Sequence, residues 1–331
     1  MESTPKLALV VAGDFSGESS NAEPVYLVNA LPKELAEQCQ IIEWSSQPSN
    51  YYSMQLMLSM LDMLETLVEQ GYSGILVMSG SGVMEEMAYM ADLLWQHSEP
   101  LIFVNLMVRG RADLKQGLAN LHCAVLAALS DMTKGRGVLV CSSSELFAAS
   151  EVVMADPISP DNAFQSLEKG SVGKMLNGDI KFFRDVRRTE FLARRPEAPA
   201  QVDILWASLG GGESMISSLS KSKEIEGLVL AGFGLGSVPP TWMPHIRNLL
   251  RRRIPVAVVS RCSSGEVGAT NDFEGGFKKL TEMGVISGGK TSPYHARIRM
   301  SLGLGAGLTE RGLSLYLLNQ PVSEDTPILY K

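Results

Sequence analysis

Charge is in short supply in this 331-residue chain. Only 20% of its residues are Asp, Glu, Lys or Arg, and the acidic ones outnumber the basic to leave a net charge of −7. No basic face is therefore expected for nucleic acid or an anionic membrane surface, since both are held chiefly by Lys and Arg. Cysteine and histidine are equally sparse, with four of each. Cys39, Cys123, Cys141 and Cys262 include no C-x-x-C pair, and no histidine is spaced to complete a zinc site. Neither a metal nor another cofactor is expected. Long apolar runs are missing too. None reaches the ~18 residues of a spanning helix, and "LALVVA" near the start is too short for a secretory h-region. The expectation is a cytoplasmic protein with reduced thiols and no membrane partner.

Apolar residues make up 45% of the chain, enough at this length for two domains or one large one. The 31 glycines against 7% aromatics suit a fold with many tight strand–helix turns. Methionine is abundant, at 17. Met54, Met57, Met60 and Met63 recur at helical spacing with Leu58, Leu61 and Leu64, which reads as a buried stripe in which Met fills gaps. Arg251, Arg252 and Arg253 end a helical pattern, where cations complement the helix dipole, and that reading is favoured over ligand binding.

Strand-like apolar runs alternate with helical patterns from the start. Residues 7–12 are followed by a helical stripe over 53–70 that stops at Gly71. "GILVM" (74–78), "PLIFVNL" (100–106) and "RGVLVCS" (136–142) read as strands, with a helix over about 115–129. Fully apolar strands in such alternation imply an α/β fold with a parallel sheet covered on both faces. The rhythm breaks over 151–192, where "NGDIKFF" (177–183) suggests a small hairpin. "RRPEAPAQ" (194–201), charged and proline-rich, is the best boundary, giving an N-terminal domain 1–193, a linker 194–201 and a smaller C-terminal α/β domain 202–331. There the alternation resumes with "VDILWASL", "GLVLAGFG" and "PVAVVSR", and the last helix is expected to begin near Pro293.

Three glycine-rich stretches imitate phosphate sites. "GVISGGKT" (284–291) matches G-x-x-x-x-G-K-[ST], but the charged, helix-like "FKKLTEM" precedes it where a phosphate loop needs a buried strand. "AGFGLGSV" (231–238) has its third glycine misplaced for a dinucleotide fingerprint. "SLGGGES" (208–214) could offer N–H groups at a helix start, a weak signal alone.

One stretch carries more. "ILVMSGSGVMEEMAYMADLL" (75–94) reads as a buried strand, a small-residue turn and an amphipathic helix, with Ser79 and Ser81 separated by Gly80. Glu85 and Glu86 follow, but adjacent helical residues point in different directions, so they do not form an acid–base pair. First-turn acids favoured by the helix dipole suffice to explain them.

Taken in order, these pieces resemble the bacterial-type L-asparaginases and glutaminases, a family of two-domain amidohydrolases. "MSGSGVMEEMAY" (78–89) is similar to the family's T-H-G-T-D-T-M-E-E-T-A-Y, and "LMVRG", "QGLANLHCAV" and "RGVLVCSSSELFAASEVV" (136–153) follow in the family's order. "GLVLAGFGLGSVP", "IPVAVVSRCSSGEV" and "SGGKTSPYHARI" have family counterparts as well, and the last removes the phosphate-loop reading. The resemblance implies a two-domain asparaginase-like fold and hydrolysis of the side-chain amide of L-asparagine or a related small amide. It also implies a threonine nucleophile activated by a neighbouring base, because a neutral hydroxyl attacks poorly until its proton is accepted.

Carried over residue by residue, the family's site is largely exchanged. Asp14 falls where the first threonine should stand. Ser81 takes the place of the second threonine, Gly82 that of its aspartate, Ser79 that of the histidine and Val83 that of the last threonine. The lysine of D-V-T-K falls on Met154. Ser237 is a further position of the family site with a replaced residue. Ser46 and Gln47 keep the family's ligand-holding pair, Gly80 and Gly82 border the same pocket, and Tyr26 is a stand-in for the lid tyrosine.

Two functions remain open on this reading. One is an amidohydrolase rebuilt on Asp14 and Ser81, although Asp14 is more simply read as a turn cap. The other is a non-catalytic protein that binds a small amino-acid-like ligand of the L-Asn, L-Asp or L-Gln type, or serves as a scaffold or regulator. Lost or altered catalysis is favoured over ordinary asparaginase activity. A homodimer or homotetramer is expected from the retained C-terminal motifs.

Overall fold

A computed structural model describes residues 6–13, 24–107, 111–186, 188, 191–192, 194–269 and 272–320, the side chains of 111–113 excepted. The chain forms two compact units, Met1–Thr189 and Glu190–Lys331.

In the first unit the elements run β1 (Leu7–Ala12), α1 (Pro24–Asn29), α2 (Lys33–Ala36), β2 (Cys39–Ser45), α3 (Met54–Glu69), β3 (Gly74–Ser79), α4 (Met84–Leu94), β4 (Leu101–Asn105), α5 (Arg111–Leu129), β5 (Val138–Ser142), β6 (Glu145–Ala148), β7 (Val153–Met154), β8 (Phe164–Gln165), β9 (Gly173–Leu176) and β10 (Asp179–Phe182). The eight-stranded sheet has the order β10-β9-β6-β5-β4-β3-β1-β2. Its β2-β1-β3-β4-β5 part is parallel, as the apolar strands require, and β6, β9 and β10 extend one edge antiparallel. β1, β3, β4 and β5 are buried along their whole length. The hairpin expected at Asn177 is present: Asn177 and Gly178, both at positive φ, join β9 to β10, which suits a tight hairpin turn.

The methionine stripe lies on α3. Ser53 caps the helix by accepting from the Leu56 N–H at 3.1 Å, and Met57, Met60, Leu61 and Leu64 are buried while Met54 and Met63 are half-buried. α5 begins at Arg111, a turn earlier than its periodicity suggested, and packs Leu121, Ala124, Val125 and Ala128 in one core with Leu76, Met78, Ile102 and Val104.

The second unit contains β11 (Val202–Trp206), α6 (Glu213–Leu219), β12 (Gly227–Gly232), α7 (Met243–Arg251), β13 (Val256–Ser260), α8 (Phe277–Glu282), β14 (Ile286–Ser287), α9 (Pro293–Gly305) and α10 (Glu310–Leu317). The strands form a parallel sheet in the order β11-β12-β13-β14. One expectation needs correction. The helix starting at Pro293 is not the last, because α10 follows after a break at Gly307, with Thr309 capping it through the Gly312 N–H.

The basic cluster has a specific structural role. Arg252 donates to the Ser220 carbonyl at 2.6 Å and the Ser222 carbonyl at 2.5 Å, closing the C-terminal end of α6, while Arg251 and Arg253 are exposed. Hydrogen bonds from a charged donor contribute more than neutral ones. Arg252→Ala should therefore destabilise the protein by about 1.5–3 kcal/mol, and Arg251→Ala by less than about 0.5 kcal/mol, in urea or thermal unfolding. Equal effects would reject this assignment.

Candidate functional site

In an open parallel sheet the strand order sets where a ligand can bind. The chain passes from β1 outward to β2, then returns past β1 to β3, so connections leave β1 and β3 on opposite sides. A crevice opens at such a switch point, at the carboxyl ends of the strands. Here those ends are level, with Ala12 paired to Ser79 on one side and to Ser45 on the other.

Three loops meet at this edge. The Gly13 N–H donates to the Ser45 carbonyl at 2.9 Å, joining the loops after β1 and β2. Asp14, the next residue, lies outside the described residues. The β2 loop carries Ser46 and Gln47, both exposed, and folds back as the Gln47 N–H donates to the Ser45 hydroxyl at 3.1 Å. It then forms a short helical turn, Ser49–Tyr51, packed against the Ser81–Val83 turn that follows β3.

The two glycines of the β3 turn have different reasons to be there. A Cβ on Gly80 would stand 2.6 Å from the Ser49 hydroxyl oxygen and 3.0 Å from its Cβ, so a side chain there requires Ser49 to shift. Among the described residues, a Cβ on Gly82 would meet only the Ser49 hydroxyl, at 3.8 Å, an ordinary contact. Gly80 is needed by the frame. Gly82 leaves room for a side chain.

Ser81 is half-buried, and no described residue hydrogen-bonds to its hydroxyl. Ser79 is 2% exposed, and its hydroxyl has no partner among the described residues. Beside it lies a polar group that reasoning from sequence did not single out. Asn105 is paired in register with Ser79 and donates to the Ser142 hydroxyl at 3.1 Å, while the Asn120 amide donates to the Asn105 carbonyl at 2.9 Å. A polar residue ends each of β3, β4 and β5, and that is the one sequence signal that could have found the group.

Met154 is tied to α4 through its backbone. Its N–H donates to the Glu85 carboxylate, which reaches it from the first turn of α4. Glu85 therefore has a specific partner as well as a favourable place at the helix start. Burial pushes its carboxyl above the ordinary value, the Met154 hydrogen bond opposes that, and the charge of Glu86 adds to the rise. Ser237 belongs to the second unit. It sits just beyond β12 in a turn where the Phe233 N–H donates to the Ser237 carbonyl at 2.7 Å. Tyr26 is exposed on α1.

The phosphate-loop imitation also resolves. The Gly288 N–H donates to the Val258 carbonyl, the Gly289 N–H to the Ser287 hydroxyl and the Thr291 N–H to the Gly288 carbonyl, so these N–H groups are satisfied within the protein. Among the described residues no group of three or more His, Cys, Asp or Glu could hold a metal, and no helix is long and apolar enough to cross a membrane.

Comparison with known proteins agrees with this geometry. Residues 11–188 match the family model "Asparaginase, N-terminal", and residues 201–314 match "Glutaminase/Asparaginase C-terminal domain". The chain belongs to the asparaginase/glutaminase family. The L-asparaginase of Bacillus licheniformis is 27% identical over 310 residues, covering 90% of this chain and 94% of that protein. A probable L-asparaginase of Deinococcus radiodurans is 27% identical over 322 residues, covering 94% and 96%. The crystal structure of a probable cytoplasmic L-asparaginase from Campylobacter jejuni shares the fold, with a TM-score of 0.81 at 23% identity over 94% of this chain and 98% of that one.

Two outcomes follow from the site's geometry. Gly80→Ala should cost about 1–3 kcal/mol by forcing the loops apart, whereas Gly82→Ala should be neutral or stabilising by up to about 1 kcal/mol, as denaturant unfolding will show. The second outcome concerns pH. Because the fold raises the Glu85 value, the folded state binds that proton more tightly than the unfolded state. Its contribution is therefore fully present below the ordinary value of 4.5 and is lost as pH rises through the raised one. Glu85→Gln should remove this loss, so stability relative to wild type should increase with pH across that window. A difference independent of pH would contradict the raised value.

Proposed function

We propose that this family member binds a small amino-acid-like ligand, of the L-asparagine, L-aspartate or L-glutamine type, at the β1/β3 switch point, and that its asparaginase chemistry is lost or altered. The observation carrying this reading is the state of the β3 turn. Its frame is intact, yet the Ser81 hydroxyl has no hydrogen-bonded base among the described residues. The aligned positions of the family's aspartate and lysine hold Gly82 and Met154, neither of which can accept or relay a proton. A positioned general base contributes about 10²–10⁴-fold to such a reaction, and an unactivated serine lacks that factor. Ser46 and Gln47, on the adjoining β2 loop, support ligand binding that does not depend on the nucleophile.

The second reading is an amidohydrolase rebuilt on Asp14 and Ser81. What favours it is chain position: Asp14 directly follows Gly13, which is bonded to the β2 loop at this same edge. Either reading fits a cytoplasmic homodimer or homotetramer that needs no cofactor.

Ammonia release from L-asparagine and L-glutamine separates the two. The expected result is release at least about 10²-fold below that of an ordinary family enzyme, unchanged in the Asp14→Ala, Ser81→Ala double variant. Saturation with L-aspartate or L-asparagine should still raise the melting temperature by a few degrees, since ligand at about 100 times Kd adds about 2.7 kcal/mol. Turnover that the double substitution abolishes would establish the rebuilt enzyme. Absence of both turnover and shift would reject an amino-acid ligand.

A further inference from the structure

The segment containing β7 and β8 is held at the carboxyl edge of the large sheet by two side chains that bond to its backbone. Within the segment, the β7 and β8 residues pair antiparallel, Val153 with Gln165 and Met154 with Phe164, and the Ala155 N–H donates to the Ala163 carbonyl at 2.7 Å. At its base, the Met154 N–H donates to the Glu85 carboxylate. Near its tip, the Ser143 hydroxyl donates to the Asp161 carbonyl. Ser143 sits in the two-residue turn between β5 and β6, where it and Ser144 adopt φ of 56° and 57°. This conformation is uncommon for serine and must be held by its surroundings. The Asn120 side chain supplies part of that hold by accepting from the Ser144 N–H at 2.9 Å.

Glu85 lies four residues after Ser81, and the Ser81–Val83 turn runs directly into α4. One carboxylate thus spans from the helix that carries the candidate turn to the backbone of residue 154. A flexible hairpin would leave that residue at no fixed distance from Ser81.

We propose that Glu85 is a positioning residue: its carboxylate latches the β7–β8 hairpin through the Met154 N–H, and so sets the place of residue 154 relative to Ser81 and any ligand bound beside it. The ligand part of this statement rests on the reading of the β3 turn as a binding site. The latch itself does not. Glutamine can replace the carboxylate here, because its carbonyl oxygen accepts the same N–H. Alanine cannot. The Ser143 tie acts at the other end of the hairpin and should be separable from the first.

Amide hydrogen exchange over residues 151–165, measured by mass spectrometry on the full chain, tests the latch. Exchange at Met154 should rise at least about tenfold in Glu85→Ala and stay within about twofold of wild type in Glu85→Gln. Ser143→Ala should raise exchange near Asp161 while leaving Met154 protected. If Glu85→Ala leaves Met154 protected, or if Glu85→Gln exposes it equally, the latch is wrong.

The same variants, titrated with L-aspartate and L-asparagine, test positioning. Affinity should fall at least about fivefold in Glu85→Ala and recover in Glu85→Gln, with Ser143→Ala near wild type. Released exchange with unchanged affinity would overturn the positioning role and leave the ligand reading standing. Failure of the wild-type protein to bind either amino acid would overturn both the ligand reading and the positioning role, and the exchange data would still decide the latch.

Discussion

The first unit depends on burying β1, β3, β4 and β5 on both faces. Strands buried in this way can carry no chemistry along their length, because every polar group placed there would need a partner in the core. Polarity is instead confined to their last residues, with Ser79, Asn105 and Ser142 ending β3, β4 and β5. The one edge at which side chains can meet a ligand is thereby decided before any loop is considered. The order β2-β1-β3 then selects the point along that edge, since only there do the connecting segments part in opposite directions.

The turn at that point separates structural need from chemical content. Gly80 is held by contact with Ser49, and Glu85 is held by its bond to Met154. Among the described residues, Gly82 and the Ser81 hydroxyl have no comparable constraint. A motif can therefore keep its glycine, its helix start and its glutamate for packing reasons while the groups between them vary. This is why resemblance in "MEEMAY" is good evidence for family and fold, and weak evidence for activity. Fold follows from the frame, and function must be argued from the site itself.

Much of this architecture was legible in the sequence because it depends on local pattern. Unbroken apolar runs located β1, β3, β4 and β5, helical periodicity located α3, and Asn177-Gly178 located a hairpin turn. The turn after β3 was legible for the same reason, as small residues between a strand and an amphipathic helix. What the sequence concealed were contacts between distant residues. The partner of Glu85 lies 69 residues away and is a backbone N–H, which no side-chain pattern reports. Arg252 looked like a helix-end cation, yet its particular carbonyl partners on another helix's end were invisible. The link between Asn105 and Asn120 joins residues 15 apart and forms only when β4 and α5 pack. The helix expected last, at Pro293, is followed by α10, whose start is marked only by Thr309 accepting from the Gly312 N–H.

On the proposed reading, the exchange of the family's aspartate and lysine for Gly82 and Met154 has an energetic logic. Removing one member of an ion pair leaves the other uncompensated, at a cost that grows with its burial. Replacing both by neutral residues avoids that penalty and is often neutral or stabilising. The charge removed is one of each sign, so the net charge is unchanged. Met154 is well suited to such a place, as an unbranched side chain that fills irregular space without a hydrogen-bond requirement. Gly82 needs no partner either. A site from which both charges are absent can therefore remain well folded, and this is the physical reason that an intact fold around Ser81 carries no guarantee of hydrolysis.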